Sequence, residues 1–188
     1  MKKGIIILIV VIALFAILGI SLIGTYNNLV TANEGVNGKW SQVENQMQRR
    51  YDLIPNLVET VKGYATHEET IFTDIADARS KLAGAQSIDD KVAADSELSS
   101  ALSRLLMIVE NYPDLKANQN FIALQDELAG TENRLAIARK DYNDTVQGFN
   151  ATIQKFPTNM FVGMFGFDKY AYYEAEDEAA KAPVVKFE

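Results

Sequence analysis

The sequence predicts an all-α protein: an N-terminal transmembrane helix leads into an antiparallel bundle of three long helices, closed by a short C-terminal helical or extended cap. Three observations predict it. Residues Gly4 to Gly24 form an uncharged apolar run, and apolar residues then recur at three- and four-residue spacing as far as Phe156. No period-two stretch of strand length precedes residue 157. The chain divides accordingly into a basic flank (1–3), a transmembrane helix (4–24), the bundle (25–157) and an aromatic and acidic cap or tail (158–188).

The apolar run, GIIILIVVIALFAILGISLIG, would make a helix of roughly 30 Å, the thickness of a bilayer's hydrocarbon core. A cleaved signal peptide is the rival reading. Its apolar region usually spans about 7–15 residues and ends in a small-x-small site. Here the run is longer and its exit, Ser21-Leu22-Ile23-Gly24-Thr25-Tyr26-Asn27, carries no Ala-x-Ala pattern, so an uncleaved single-pass anchor is expected. Lys2 and Lys3 precede the run and only Lys39 is basic in the stretch just after it. That bias predicts a cytoplasmic N-terminus with the domain on the outer, periplasmic side of a bacterial cell membrane.

The first bundle helix carries the seam Val36, Trp40, Val43, Met47, Arg50, Ile54, Leu57, Val61, Tyr64, Glu68, Ile71, Ile75, Ala78 and Leu82. Its alternating steps of four and three belong to a coiled-coil-like helix packed on other helices. Pro55 falls inside it, and because the seam keeps its phase a kink is expected there, not an end. Gly63 reads as a point of close helix approach, and Gly84 as the stop. Between Ile23 and Val36 there is no proline and no polar linker, so the membrane helix is expected to run on into this one.

Ser87 is the expected N-cap of a second helix, with Asp89 and Asp90 in its first turn and an apolar face of Ala94, Leu98, Ala101 and Leu105. It should end before Asn111-Tyr112-Pro113-Asp114, a turn signal. A third helix, starting between Asp114 and Asn118, carries Phe121, Leu124, Leu128, Thr131, Leu135, Ala138, Tyr142, Val146, Phe149, Ile153 and Phe156, and Pro157 ends it. Short connections make such helices antiparallel neighbours. Arg50, Glu68, Arg79, Glu132 and Arg139 are charged residues on these helices and form a candidate inter-helix polar network. Beyond Pro157, Met160, Phe161, Met164, Phe165, Phe167, Tyr170, Tyr172 and Tyr173 form an aromatic and sulfur-rich patch. Two readings stand: a segment folded back over the open end of the bundle, or a docking surface for a partner or the membrane interface.

Past the anchor, 25 Asp+Glu outweigh 16 Lys+Arg, Lys2 and Lys3 being set aside. So acidic a domain argues against nucleic acid, whose binding rests on Lys and Arg at phosphates. There is no cysteine, hence no disulfide, thiolate or Cys-ligated metal. The single His67 has no second histidine one turn away, which helix-borne zinc and di-iron sites require. Phosphate loops and a Gly-x-Ser-x-Gly elbow are also missing, so no enzyme activity, catalytic residue, metal or cofactor is expected.

The motifs resemble the LemA family of bacterial membrane-anchored proteins. The resemblance runs through Tyr26-Asn27 and Trp40 to Glu44 and is densest in Arg49-Arg50-Tyr51-Asp52-Leu53-Ile54-Pro55-Asn56-Leu57-Val58. It continues in Val61-Lys62-Gly63-Tyr64, Tyr112-Pro113-Asp114-Leu115-Lys116-Ala117-Asn118, Thr131-Glu132-Asn133-Arg134 and Phe156-Pro157. It implies a helical bundle behind a membrane segment, without an established catalytic activity and without assigned functional residues. It also implies gene neighbours such as a membrane protease of the HtpX type, and a relative engaged in magnetosome membrane formation.

Three functions follow as expectations. The first is a membrane-anchored scaffold or adaptor that forms homo-oligomers or recruits another envelope protein, with the lipid bilayer as its constant partner and no nucleic acid. The second is a regulator or substrate adaptor of a membrane protease. The third is a small-ligand or peptide sensor with a groove lined by Arg50, Arg79 and Arg139.

Overall fold

A computed structural model describes residues 2–173. The acidic run Glu174 to Ala180 and the tail after it lie outside the described residues. The fold is all-α: α1 (Lys2–Lys62), α2 (Glu69–Gly84), α3 (Ile88–Val109), the single turn α4 (Pro113–Lys116), α5 (Gln119–Gln154) and a 3-10 turn at Thr158–Met160. No strand occurs among the described residues.

α1 is one uninterrupted helix of 61 residues, and Pro55 lies within it. Its N-terminal part is long and apolar enough to cross a membrane, which fits membrane anchoring. The structure departs from the sequence reading at its other end. The seam expected to run to Leu82 is split, for α1 stops at Lys62 and α2 begins seven residues later. Gly63 ends the helix and makes no close helix approach. The Val61 carbonyl accepts bonds from the amides of both Tyr64 and Ala65, each at 2.9 Å, which turns the chain out of the helix. Lys62 adds a cation where the helix dipole is negative. α2 then returns along α1, for Arg79 lies 4.2 Å from the ring centroid of Tyr51 and Lys62 lies over the Phe72 ring. In a single straight helix, Tyr51 and Arg79 would stand roughly 40 Å apart.

The chain forms two compact units. In the unit of residues 41–140 and 171–173, four helical segments pack: the C-terminal part of α1, then α2, α3, and the N-terminal part of α5. Ion pairs Arg104–Asp74 (3.0 Å) and Lys81–Glu97 (2.5 Å) show α2 and α3 antiparallel. Tyr64 with Asn118 and Arg50 with Glu132 show the same of α1 and α5. The core between them holds Ile54, Leu57, Val61, Ala65, Ile71, Ile75, Leu98, Leu102, Leu105, Leu115 and Phe121. Ser87 caps α3 in a capping box, its Oγ accepting the Asp90 amide at 3.0 Å while the Asp90 carboxylate faces the Ser87 amide. Pro113 opens α4, and the Asn118 Oδ1 accepts the amides of Asn120 and Phe121 to start α5.

In the unit of residues 2–40 and 141–170, the part of α1 from Tyr26 to Trp40 pairs with the rest of α5, and Phe165, Phe167 and Tyr170 pack back on both. Leu29, Val36, Trp40, Tyr142, Val146, Phe149 and Ile153 are buried there. Trp40 meets Tyr142 edge-on at 5.3 Å, an arrangement worth about 0.5–1.5 kcal/mol beyond its buried area.

Two substitutions test this account of the four-segment unit. Ser87→Ala removes one cap and is expected to cost about 0.5–2 kcal/mol. Leu105→Ala opens the core and is expected to cost about 2–5 kcal/mol. Urea unfolding of the detergent-solubilised chain, followed by circular dichroism, measures both, and a Leu105→Ala loss no larger than that of Ser87→Ala contradicts the core assignment.

Candidate functional site

The most concentrated chemistry in the chain is a buried cluster of charges in the four-segment unit. Asp95 of α3 is completely buried. Its Oδ1 accepts from Arg50 Nη1 of α1 at 3.1 Å, and its Oδ2 accepts from Arg139 Nη2 of α5. Tyr173 donates its hydroxyl to the same Oδ2 at 3.0 Å, and the Arg139 guanidinium lies 4.6 Å over the Tyr173 ring. Arg50 also donates to Ser99 Oγ at 2.8 Å and pairs with Glu132 at 3.2 Å, and Glu132 reaches Arg139 at 3.6 Å. Two guanidiniums thus face two carboxylates, and the cluster is neutral as a whole. A carboxylate out of water needs opposite charges and donors around it, and Asp95 has three such contacts, from Arg50, Arg139 and the Tyr173 hydroxyl.

The geometry follows from helix periodicity. Asp95 precedes Leu98, Leu102, Leu105 and Val109 on the buried face of α3, in steps of three and four. Arg50 occupies a seam position of α1 between buried Met47 and Ile54. Glu132 and Arg139, two turns apart on α5, project to the same side. Burial, followed by the adjacent Asp95 charge, raises the pKa of the Tyr173 hydroxyl well above the ordinary tyrosine range. It is therefore a neutral donor.

Of the polar residues singled out in the sequence, Arg50, Glu132 and Arg139 come together here. Arg79 stands apart, stacked on Tyr51, and Glu68 lies in the turn before α2. Asp95 and Tyr173 complete the cluster. With Arg50 and Arg139 turned inward onto Asp95 and Glu132, the ligand groove drawn from the three arginines loses two of its cations. No group of metal-ligating residues occurs among the described residues, and His67 is exposed in the turn after α1.

The aromatic patch divides. Phe165 and Phe167 pack on Tyr26 of α1 at 5.2 and 6.1 Å, and Phe167 and Tyr170 pack on Phe149 of α5. The Asn150 side chain binds the Tyr170 backbone at both ends, donating to its carbonyl at 2.9 Å and accepting from its amide at 3.0 Å. The Tyr170 hydroxyl lies within hydrogen-bond distance of Asn33 and Asn37 on α1. Burial, then the Glu34 charge, raises its pKa. Phe161 is half-buried, whereas Met160, Met164 and Tyr172 are exposed.

A model of the LemA family matches residues 39–187. Magnetosome protein MamQ 1 of Paramagnetospirillum magneticum is 27% identical over 194 residues, covering 88% of this chain and 70% of the relative. Magnetosome protein MamQ of Magnetospirillum gryphiswaldense is 27% identical over 191 residues, with the same coverage. Protein LemA of Metamycoplasma hominis is 26% identical over 159 residues, covering 82% of this chain and 71% of the relative.

Asp95→Ala would leave Arg50 and Arg139 without their buried partner and is expected to cost about 3–5 kcal/mol. Glu132→Gln, at a half-exposed position, is expected to cost at most about 1 kcal/mol. Urea unfolding separates them, and equal losses remove Asp95 from the centre of the cluster. Tyr173 makes a separate prediction in alkali. Its pKa is higher folded than unfolded, so above the ordinary tyrosine value of about 10 the unfolded state sheds the proton first. Stability should therefore be unaffected by this group below about pH 10 and fall as pH rises beyond it. The Tyr173→Phe chain should lose less over that window, and an unchanged alkaline slope contradicts the burial of the Tyr173 hydroxyl beside Asp95.

Proposed function

We propose that this chain, which belongs to the LemA family, is a membrane-anchored helical scaffold that self-associates in the plane of a bacterial cell membrane and presents its bundle to envelope proteins. One observation carries the reading: the apolar segment and the helix that supplies Arg50, Ile54, Leu57, Val58 and Val61 to the bundle are a single helix, α1, from Lys2 to Lys62. A soluble domain on a flexible tether would have a linker between anchor and bundle. Here the hydrogen-bonded ladder of α1 crosses that point, so a neighbour that engages the membrane segment acts on a helix that is itself part of the bundle.

The internal charges support a structural role, since Arg50, Asp95, Glu132 and Arg139 neutralise one another inside the bundle. Relatives named magnetosome proteins, together with membership of the LemA family, support a membrane-associated role. The flank Lys2-Lys3, against a single Lys39 beyond the apolar run, favours an outward-facing domain.

A cysteine-free chain makes the test direct. Single cysteines placed along α1 from Ile6 to Glu34 are oxidised in native membranes, and disulfide dimers should peak at positions three or four residues apart, on one face of the helix. Absence of dimers at every position overturns self-association. The Glu34→Cys chain should also react with a membrane-impermeant maleimide on intact cells, and labelling only after lysis reverses the orientation.

A further inference from the structure

Within the unit of residues 2–40 and 141–170, the end of α5 can be placed against the membrane segment. α5 runs antiparallel to α1 in a register set by Lys39 with Asp141 (2.9 Å), Trp40 with Tyr142, and Gly35 against Thr145. Continued residue for residue, that register brings Gln154, the last residue of α5, opposite Tyr26. Tyr26 stands two residues beyond the uncharged run and its ring packs on Phe165. The turn 155–166 is therefore level with the point where the apolar run of α1 ends, and both of its ends are tied there.

Beside Lys155 and Asn159, this turn exposes large apolar side chains. Phe156, Met160 and Met164 are 79%, 64% and 74% exposed, matching Ile20 and Ile23 of the apolar run at 71% and 63%. Gly166, with φ of +76°, turns the chain back so that Phe167 can pack on Tyr26 and Phe149. Other exposed large apolar residues, such as Met107 and Ile137, stand singly on the helices of the other unit.

The distribution of charge points the same way. Acidic residues outnumber basic ones 25 to 18 in the chain, yet the first on α1 is Glu34, and on α5 none follows Asp144 until Asp168. In the register above, Glu34 and Asp144 stand at nearly the same level. Both helices thus drop their acids together and carry none toward the membrane end, where Lys155 lies instead. Anionic lipid repels carboxylates, and a lysine at that depth keeps its stem on apolar surface and its ammonium among headgroups. A site for another protein would give no reason for both helices to lose their acids at one level.

We propose that the turn 155–166 is a second membrane contact, seating Phe156, Met160 and Met164 in the interfacial layer of the bilayer that α1 crosses. Phenylalanine is among the side chains that interfacial segments bury at the headgroup boundary, and methionine adapts to it. With α1 through the bilayer and the turn resting in its surface, the rotation of α1 about its own axis is fixed. The inference rests on the membrane-anchor reading, and the experiment separates the two.

The full chain is reconstituted in vesicles of phosphatidylethanolamine and phosphatidylglycerol, with single cysteines replacing Phe156, Met160 or Met164 and carrying an environment-sensitive fluorophore. Lipids brominated near the headgroup end of the acyl chain should quench and blue-shift all three probes, and leave probes at Met107 and Ile137 unchanged. Probes in the turn that stay unquenched, whether wet or buried against protein, overturn the proposal. A probe at Ile12 tests the anchor alone. Quenching there by deeply brominated lipid, without quenching in the turn, defeats the second contact and leaves the anchor intact. No quenching at Ile12 defeats the anchor.

Discussion

The four-segment unit depends on how one buried carboxylate is held. Asp95 is fully out of water, and its two oxygens are shared among Arg50 of α1, Arg139 of α5 and the Tyr173 hydroxyl. Removing a carboxylate from water carries a penalty of several kcal/mol, which only well-placed partners offset. As net stabilisation such a cluster achieves little more than apolar packing would. What it does fix is register. Sliding α3 by one turn against α1 or α5 would move Asp95 about 5.4 Å, far outside hydrogen-bond reach of either guanidinium. The apolar positions of α3 are less selective, because Ala and Leu faces tolerate displacement by a turn. The charges therefore favour the observed register over a slide of one turn.

Much of this was legible in the sequence, for reasons that are local. The seam from Val36 to Val61 and the cap at Ser87 follow from side-chain period and from backbone groups that must be satisfied at a helix end. The break after Lys62 was hidden by the seam itself. Ile71, Ile75 and Ala78 are buried on α2 in the same phase as residues of α1, so the pattern does not register that the chain has reversed. The signal lay in Gly63 and the β-branched and polar residues after it, which weaken a helix without forbidding one. Asp95 was missed because a carboxylate in an Ala-rich helix reads as solvated. Its spacing to Leu98, Leu102 and Leu105 puts it on the seam, and an acid there implies a buried cation opposite, for which Arg50 was the available partner.

The smaller unit shows how a two-helix pair is made to hold without a large core. Leu29, Val36, Val146 and Ile153 alone leave one side of the pair open to water. Phe165, Phe167 and Tyr170 cover it, and Asn150 binds both backbone groups of Tyr170 as a neighbouring strand would. This contact joins residues far apart in sequence and obeys no helical period. The composition of the patch could be read in advance, but which of its rings would turn inward could not. The division follows from the turn, since Gly166 sends Phe167 back toward Phe149 while Met160 and Met164 remain on the outside.

Along α1 the residue chemistry changes in stages, each matched to what surrounds it. Gly4 to Gly24 is uncharged; Tyr26, Asn33 and Asn37 meet the rings and the Tyr170 hydroxyl of the returning segment; Trp40 packs on Tyr142; Arg50 enters the charge cluster; Ile54 to Val61 line the apolar core. No other element takes part in all of these. Between Ile23 and Val36 no proline or polar linker interrupts the helix. Pro55 is tolerated where burial of Ile54, Leu57 and Val58 holds the helix on both sides of the missing hydrogen bond. The apolar segment, which fits membrane anchoring, and the residues that line the bundle core thus belong to one helix, α1.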